Sequence, residues 1–295
     1  MSGSPLRPWL NSFNPLIYTA SVIPILVGTA FAWWQGDVFD LQRFALTLAG
    51  LVFVHAWINL TNDVFDWDTG VDRNKLNSLV RTTGSRSQVL WVGNLFLSIG
   101  YVCFWALQDW WLLAFGSLGI FLGYAYQGPP FRLAYKGLGE WISSSCFGPI
   151  AVLTATRAQT GSWELGALWA GIAVGSWTAT ILYAHHFYQY EDDREFDKRT
   201  PVVRWGPELA AKRFWWVIAP SYVVLLMAVA GGFLPWTVLA VLATIPLAVS
   251  LVRFVRENAG NPAVVVGALP LAARFHLISG ALLTLGLLAG TLLPL

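Results

Sequence analysis

Leu46-Thr47-Leu48-Ala49-Gly50-Leu51-Val52-Phe53-Val54-His55-Ala56-Trp57-Ile58-Asn59-Leu60-Thr61-Asn62-Asp63-Val64-Phe65-Asp66 carries the pattern from which the fold is read. It is apolar for most of its length, admits Asn59 and Asn62 near its end, and then runs into Asp63, Asp66, Asp68 and Asp72. About 20 apolar residues are enough for a helix to cross a hydrocarbon core of about 30 Å. In lipid the backbone must satisfy itself, which helices do. Nine such stretches are read along the chain, at roughly 15–34, 43–62, 88–107, 110–127, 138–157, 165–188, 214–233, 235–253 and 273–293. The expected fold is all-α: a polytopic bundle of nine transmembrane helices around a central cavity, one domain over 1–295.

Composition agrees with a membrane chain. Of 295 residues 56% are apolar and 12% charged, against about 25% charged in a soluble domain, and the mean hydropathy is +0.57. All Lys and Arg except Arg43 and Arg157 fall on one side of the nine spans. The positive-inside rule then puts the N-terminus and both acidic stretches at the cytoplasmic face, and the C-terminus opposite. Trp33-Trp34, Trp110-Trp111 and Trp215-Trp216 sit at span ends, as an aromatic belt does. A net charge of +2 without a polybasic run argues against nucleic acid. Cys103 and Cys146 fall inside spans and read as small apolar residues rather than a disulfide. No cleavage site is read before the first span, so the N-terminal segment is taken as mature sequence.

A second acidic stretch, Glu191-Asp192-Asp193-Arg194-Glu195-Phe196-Asp197, also follows a long apolar segment and precedes Lys and Arg. Together the two stretches hold nine of the sixteen acids. They lie in the longest polar segments, 63–87 and 189–213, and four spans separate them, which suggests a pseudo-twofold bundle whose two acid-tipped helices face one cavity. Packed carboxylates repel unless a hard cation neutralises them, and oxygen-only ligands suit Mg²⁺ shared with substrate phosphates. Asn62 and Asp66 share a face at i and i+4 if the helix continues, and Gly70 permits a turn that returns Asp72. Gln189 and Asp193 repeat the spacing, with Asp192 near the same face and Asp197 a turn further on. Buried polar groups require partners or a wet cavity, so Asn59, Asn62, His185, His186 and Gln189 are placed at its mouth. His55 is read as a cavity residue or an interior hydrogen-bonded one, His276 as structural, and Glu140 as a cavity carboxylate or a first-turn acid.

The alternative is that these are solvated loop acids beside solvated loop bases; duplication of the pattern on one face argues against it. A cation-coupled transporter would place its ionisable groups near the midplane rather than at one face, and a silent membrane scaffold would need neither stretch.

The pattern Asn-Asp-x-x-Asp-x-x-x-Gly-x-Asp at 62–72, with Asp193-Arg194-Glu195, Lys198 and Val203-Arg204-x-Gly206 after it, resembles the UbiA superfamily of intramembrane aromatic prenyltransferases. Tyr126-Gln127-Gly128-Pro129-Pro130-Phe131-Arg132-Leu133, Gly137-Leu138-Gly139-Glu140 and Phe147-Gly148-Pro149 extend the likeness over nearly the whole chain, most closely to the MenA type. The run His185-His186-Phe187-Tyr188-Gln189 is similar to the cyanobacterial and plastid phytyltransferase branch. The resemblance implies Mg²⁺-dependent transfer of a phytyl or other polyprenyl group from its diphosphate to 1,4-dihydroxy-2-naphthoate, with loss of diphosphate, carbon dioxide and a proton, in phylloquinone or menaquinone synthesis. Sibling activities are homogentisate and chlorophyllide prenyl transfer.

Asp66, Asp72 and Asp193 are the expected catalytic acids, and Asn62, Asp66, Asp72, Asp192 and Asp193 the expected metal ligands. Arg73, Lys75, Lys198 and Arg204 are diphosphate partners by resemblance. Asn59, Tyr126, His185, Tyr188 and Gln189 complete the expected substrate contacts, the two tyrosines through cation–π contact with the allylic cation. Two departures stand out: Gln189 replaces the usual first Asp of the second motif, and His186-Phe187-Tyr188 replaces a run containing Asn and Arg.

Overall fold

A computed structural model describes residues 17–71 and 78–293, and among these it is helical with no strand. The helices are α1 (Thr19–Gly36), α2 (Leu41–Thr69), α3 (Leu79–Thr83), α4 (Arg86–Ala106), α5 (Trp110–Gln127), α6 (Gly139–Ser145) and α7 (Ala151–Thr160). They continue as α8 (Leu165–Tyr188), α9 (Tyr190–Glu195), α10 (Pro201–Trp205), α11 (Pro207–Arg213), α12 (Trp215–Ala230), α13 (Ile245–Asn258), α14 (Pro262–Val265) and α15 (Ala268–Gly290).

Among the described residues, six stretches are long and apolar enough to cross a membrane: Leu41–Thr69, Arg86–Ala106, Leu165–Tyr188, Pro207–Ala230, Trp236–Asn258 and Pro262–Gly290. That is fewer than the nine expected. The other three expected spans coincide with α1, α5 and the composite of α6 and α7, which are helical but diluted. Trp33, Trp34 and Gln35 end α1, Tyr124, Tyr126 and Gln127 end α5, and the composite carries Glu140, three consecutive serines from Ser143, and Arg157.

Local chemistry sets the ends. Asp40 accepts from the Arg43 N–H to cap α2, Ser85 accepts from Gln88 to cap α4, and Asp109 accepts from Trp111 and Leu112 to cap α5. Asp109 also binds Arg157 at 2.9 Å, pinning the start of α5 to the end of α7. Two spans depart from regular helix, each at a proline. Between α6 and α7 lies a π turn, Cys146–Ile150, that contains Pro149. Proline has no N–H and crowds the carbonyl four residues back, so the wider turn absorbs it. The expected helix over 235–253 begins instead as a 3-10 stretch, Trp236–Thr244, ending just before Pro246 for the same reason.

The deeply buried α8 is the staff around which the site is built. It meets the π turn almost backbone to backbone. A Cβ on Gly148 would come within 2.5 Å of the Gly171 carbonyl and 2.6 Å of the Gly175 Cα, the small-residue packing that lets membrane helices approach closely. This contact brings α6, with Glu140, alongside the end of α8.

Candidate active site

The two acidic stretches meet. α2 runs unbroken through Asn62 and Asp66 to Thr69 and stops at Gly70, whose φ of 99° lies in the left-handed region. A Cβ there would stand 2.7 Å from the Phe196 ring. The end of the first stretch therefore seats directly on the second. On the other side α8 stops at Tyr188 and α9 restarts at Tyr190. The Asp193 N–H still reaches the Gln189 carbonyl at 2.8 Å, so the helical path carries on through the break.

Asp66 is 7% exposed and Asp193 fully buried. Between them stands Lys198, its Nζ 3.8 Å from Asp66 Oδ2 and 3.5 Å from Asp193 Oδ1. Burial by itself disfavours the Lys198 charge, but the two carboxylates outweigh it and hold the ammonium above the ordinary lysine range. Two carboxylates against one ammonium leave the group negative, which favours a further cation.

The end of α5 and the loop that follows it supply partners that the acidic motifs do not reveal. Gln127 Nε2 donates to Asp66 Oδ2 at 2.6 Å, and the Tyr135 hydroxyl donates to Asp66 Oδ1 at 3.0 Å. Thr69 Oγ1 lies 2.6 Å from the same phenol oxygen, and the Lys198 ammonium lies 5.5 Å from the Tyr135 ring centre. Burial, then the Asp66 charge, push the Tyr135 phenol well above its ordinary range, so it stays a donor. The loop is tied down by the Arg199 N–H bonding the Tyr135 carbonyl at 3.0 Å and by Arg204 donating to the Lys136 carbonyl at 2.5 Å. A signal for these residues did exist: Gln127 is the polar last residue of an apolar span, and Tyr135 lies between Arg132 and Lys136 in a short connection.

The remaining expected residues are placed as follows. The side-chain oxygen of Asn62, one turn before Asp66, is buried with no hydrogen-bond partner among the described residues, as is Gln127 Oε1. Asn59 is hydrogen-bonded to Tyr18. Tyr126 lies in electrostatic range of Lys198, Glu140, Asp66 and Asp193. His185 Nε2 and the Tyr188 hydroxyl bond each other at 2.8 Å, and Gln189 is buried at the break. Asp192 is half-buried, and Arg204 is exposed. Asp72, Arg73 and Lys75 lie outside the described residues. Glu140 stands in the first turn of α6, 2.9 Å from His186 Nδ1. His55 is bonded to Ser21 at 2.5 Å, and His276 to Thr178 at 3.2 Å.

Among the described residues no three His, Cys, Asp or Glu side chains converge closely enough to cage a metal. Yet the donor set suits Mg²⁺. Two carboxylates and two unpartnered amide oxygens are all oxygen, and this ion commonly binds through one or two carboxylates while substrate phosphates and water fill the rest.

Further along α2 from the acids lies a small apolar slot of about 40 Å³. Thr47, Leu51, Val54, His55 and Ile58 line it from α2, facing Phe104, Phe115, Gly119 and Phe147. Ile58, Asn62 and Asp66 continue the same i, i+4 row, so one stripe of one helix is apolar at its foot and anionic at its head. At about 1.5 Å per residue the stripe from Thr47 to Asp66 is about 28 Å long.

The profile of the UbiA prenyltransferase family matches residues 21–278. The chain is 39% identical to the 2-carboxy-1,4-naphthoquinone phytyltransferase of Synechocystis sp., over 96% of each chain. It is 32% identical to the chloroplastic enzyme of the same name from Arabidopsis thaliana, over 92% of this chain and 74% of that one. A solved UbiA homologue from Archaeoglobus fulgidus, bound to GPP and Mg²⁺, superposes with a TM-score of 0.63 over 97% of this chain and all of the other. At 16% identity that likeness is one of fold.

Proposed function

This chain belongs to the UbiA prenyltransferase family, and we propose that its reaction is Mg²⁺-dependent transfer of a phytyl, or other polyprenyl, group from the diphosphate to 1,4-dihydroxy-2-naphthoate, with loss of diphosphate and carbon dioxide, in phylloquinone or menaquinone synthesis. It is a prenyltransferase and an integral membrane protein. The observation that carries the finer reading is the α2 stripe. A helix whose one row lines an apolar slot and ends at a buried carboxylate fits a donor with an apolar tail and an anionic head. The Synechocystis relative, a 2-carboxy-1,4-naphthoquinone phytyltransferase matched over nearly the full length of both chains, supports an acceptor with a carboxylated naphthalene ring system.

In this reading Asn62, Asp66 and Asp193, with Asp72 and Asp192, hold the metal. Bound there, Mg²⁺ supplies positive charge to the departing diphosphate. Lys198, already between the two carboxylates, adds a cation that is in place before the substrate arrives. Arg73, Lys75 and Arg204 are further diphosphate partners. Gln127 and Tyr135 hold the Asp66 carboxylate in one orientation. Phe104, Phe115 and Phe147 keep water from the allylic centre and its tail. We read α1, α5 and the composite of α6 and α7 as three further membrane helices, making nine. In that topology the N-terminus and the acids face the cytoplasm.

The test is to incubate the purified chain in detergent with Mg²⁺, 1,4-dihydroxy-2-naphthoate and, in turn, phytyl, geranylgeranyl and longer prenyl diphosphates. The expected result is a product whose mass equals acceptor plus prenyl minus carbon dioxide. Turnover of homogentisate or a chlorophyllide in place of the naphthoate would reassign the acceptor. No prenylated product from any pair would end the reading.

A further inference from the structure

Glu140 and His186 form a buried pair that the reading above leaves without a task. Glu140 Oε1 lies 2.9 Å from His186 Nδ1, with the side chains 12% and 3% exposed. Glu140 comes from the first turn of α6 and His186 from the last turns of α8, and the glycine contact at Gly148 and Gly175 holds these helices together. The carboxylate accepts the Nδ1 proton, which fixes the tautomer and leaves the lone pair on Nε2. Among the described residues Nε2 has no hydrogen-bond partner.

Depth places this pair relative to the acids. His186 precedes Asp193 by seven residues, about 10 Å of helical rise into the membrane, with the break at Gln189 between them. Asn59 precedes Asp66 by the same seven. Each acid-tipped helix thus carries a hydrogen-bonding side chain one layer below its carboxylate. Tyr126 spans the two layers, being in electrostatic range of Glu140 on one side and of Asp66, Asp193 and Lys198 on the other. A diphosphate held at the upper layer leaves the lower one for the acceptor ring.

Resting on the proposed reaction, we infer that His186 is the base that takes the proton of the acceptor's ring hydroxyl, with Glu140 as its positioning residue. The O–H bond breaks and its proton passes to Nε2, while the electron pair stays on oxygen and enriches the ring. The ring carbon that bears the carboxylate bonds the allylic carbon as the C–O bond to diphosphate breaks, its pair leaving on the diphosphate. The bond to the carboxylate carbon then breaks, carbon dioxide departs, and the pair it leaves behind restores the aromatic ring. Finally the proton returns from Nε2 to the hydroxyl oxygen, so His186 ends as it began.

The test measures acceptor turnover and, separately, binding of an unreactive prenyl thiodiphosphate with Mg²⁺, for the wild type, His186→Gln, His186→Ala and Glu140→Gln in detergent. The expected result for His186→Gln is a fall in acceptor kcat of about a hundredfold or more, with thiodiphosphate affinity within about twofold of wild type, and Glu140→Gln should fall less. Added imidazole should restore part of the turnover of His186→Ala, which a merely structural histidine would not show. Wild-type turnover in His186→Gln overturns the inference and leaves the proposed reaction standing. Loss of thiodiphosphate binding in both His186→Gln and Glu140→Gln makes the pair structural and also overturns it. A wild type that prenylates no acceptor defeats the proposed reaction itself.

Discussion

In the first acidic stretch α2 runs straight through Asn62 and Asp66, whereas in the second α8 stops at Tyr188 and Asp193 rides on the separate turn α9. The acids around these two differ just as much in employment. Asp63 accepts from the Ser78 hydroxyl at 3.1 Å and the Val80 N–H at 3.0 Å, and so holds the start of α3. Asp68 makes a two-pronged bridge to Arg86 across partly exposed surface. In the second stretch Glu191, Glu195 and Asp197 are exposed, and Asp197 pairs with Arg199. Among the described acids of the two stretches, Asp66 and Asp193 alone are buried. Acid density thus marks the two stretches, while packing selects which of their carboxylates are buried side by side around Lys198.

Asp66→Ala and Asp193→Ala break the comparison most severely. If the two carboxylates are equivalent halves of one site, each variant loses about a thousandfold or more of turnover while eluting from size exclusion in detergent like the wild type. A large loss in one and near-normal turnover in the other would show that the halves are unequal.

Replacing Lys198 tests what joins them. Removing one partner from a buried charged group costs about 3–5 kcal/mol, so Lys198→Gln should unfold at clearly lower temperature without metal. Added Mg²⁺ should recover more stability for this variant than for wild type, because the ion supplies the missing charge between Asp66 and Asp193. Equal shifts in both proteins would place the ion elsewhere.

The smallest effects belong to the flanking acids of the first stretch. Asp63→Ala removes a helix-start acceptor and should lower stability by about 1 kcal/mol. Asp68→Asn should change it by less than about 0.5 kcal/mol, since its ion pair is solvent-screened. Turnover measured beside Asp66→Ala should stay within a few fold of wild type for both; a hundredfold loss in either would enlarge the site beyond the buried pair.

Much of this was legible along the chain. Asp66 and Asp193 stand out by spacing and by the apolar run before each, and the structure brings these two acids together around Lys198. The bonds of Gln127 and Tyr135 to Asp66 were not legible, because these residues stand 61 and 69 positions away in the chain, a distance that only the fold closes. Nor was the division of labour among Asp63, Asp66 and Asp68, since adjacent residues of one helix share a composition but point about 100° apart.

Composition and period decided that this chain is helical and lipid-embedded, because about 20 apolar residues in a row have few other stable states in which to hide a backbone. They also decided where carboxylates would be dense along the chain. Only packing in three dimensions decided which carboxylates lose their water, which loop hydroxyl and amide hold Asp66, and that Glu140 finds His186. Those outcomes depend on helices meeting through glycines far apart in the chain, and burial is a property of the neighbours a residue acquires rather than of the residue.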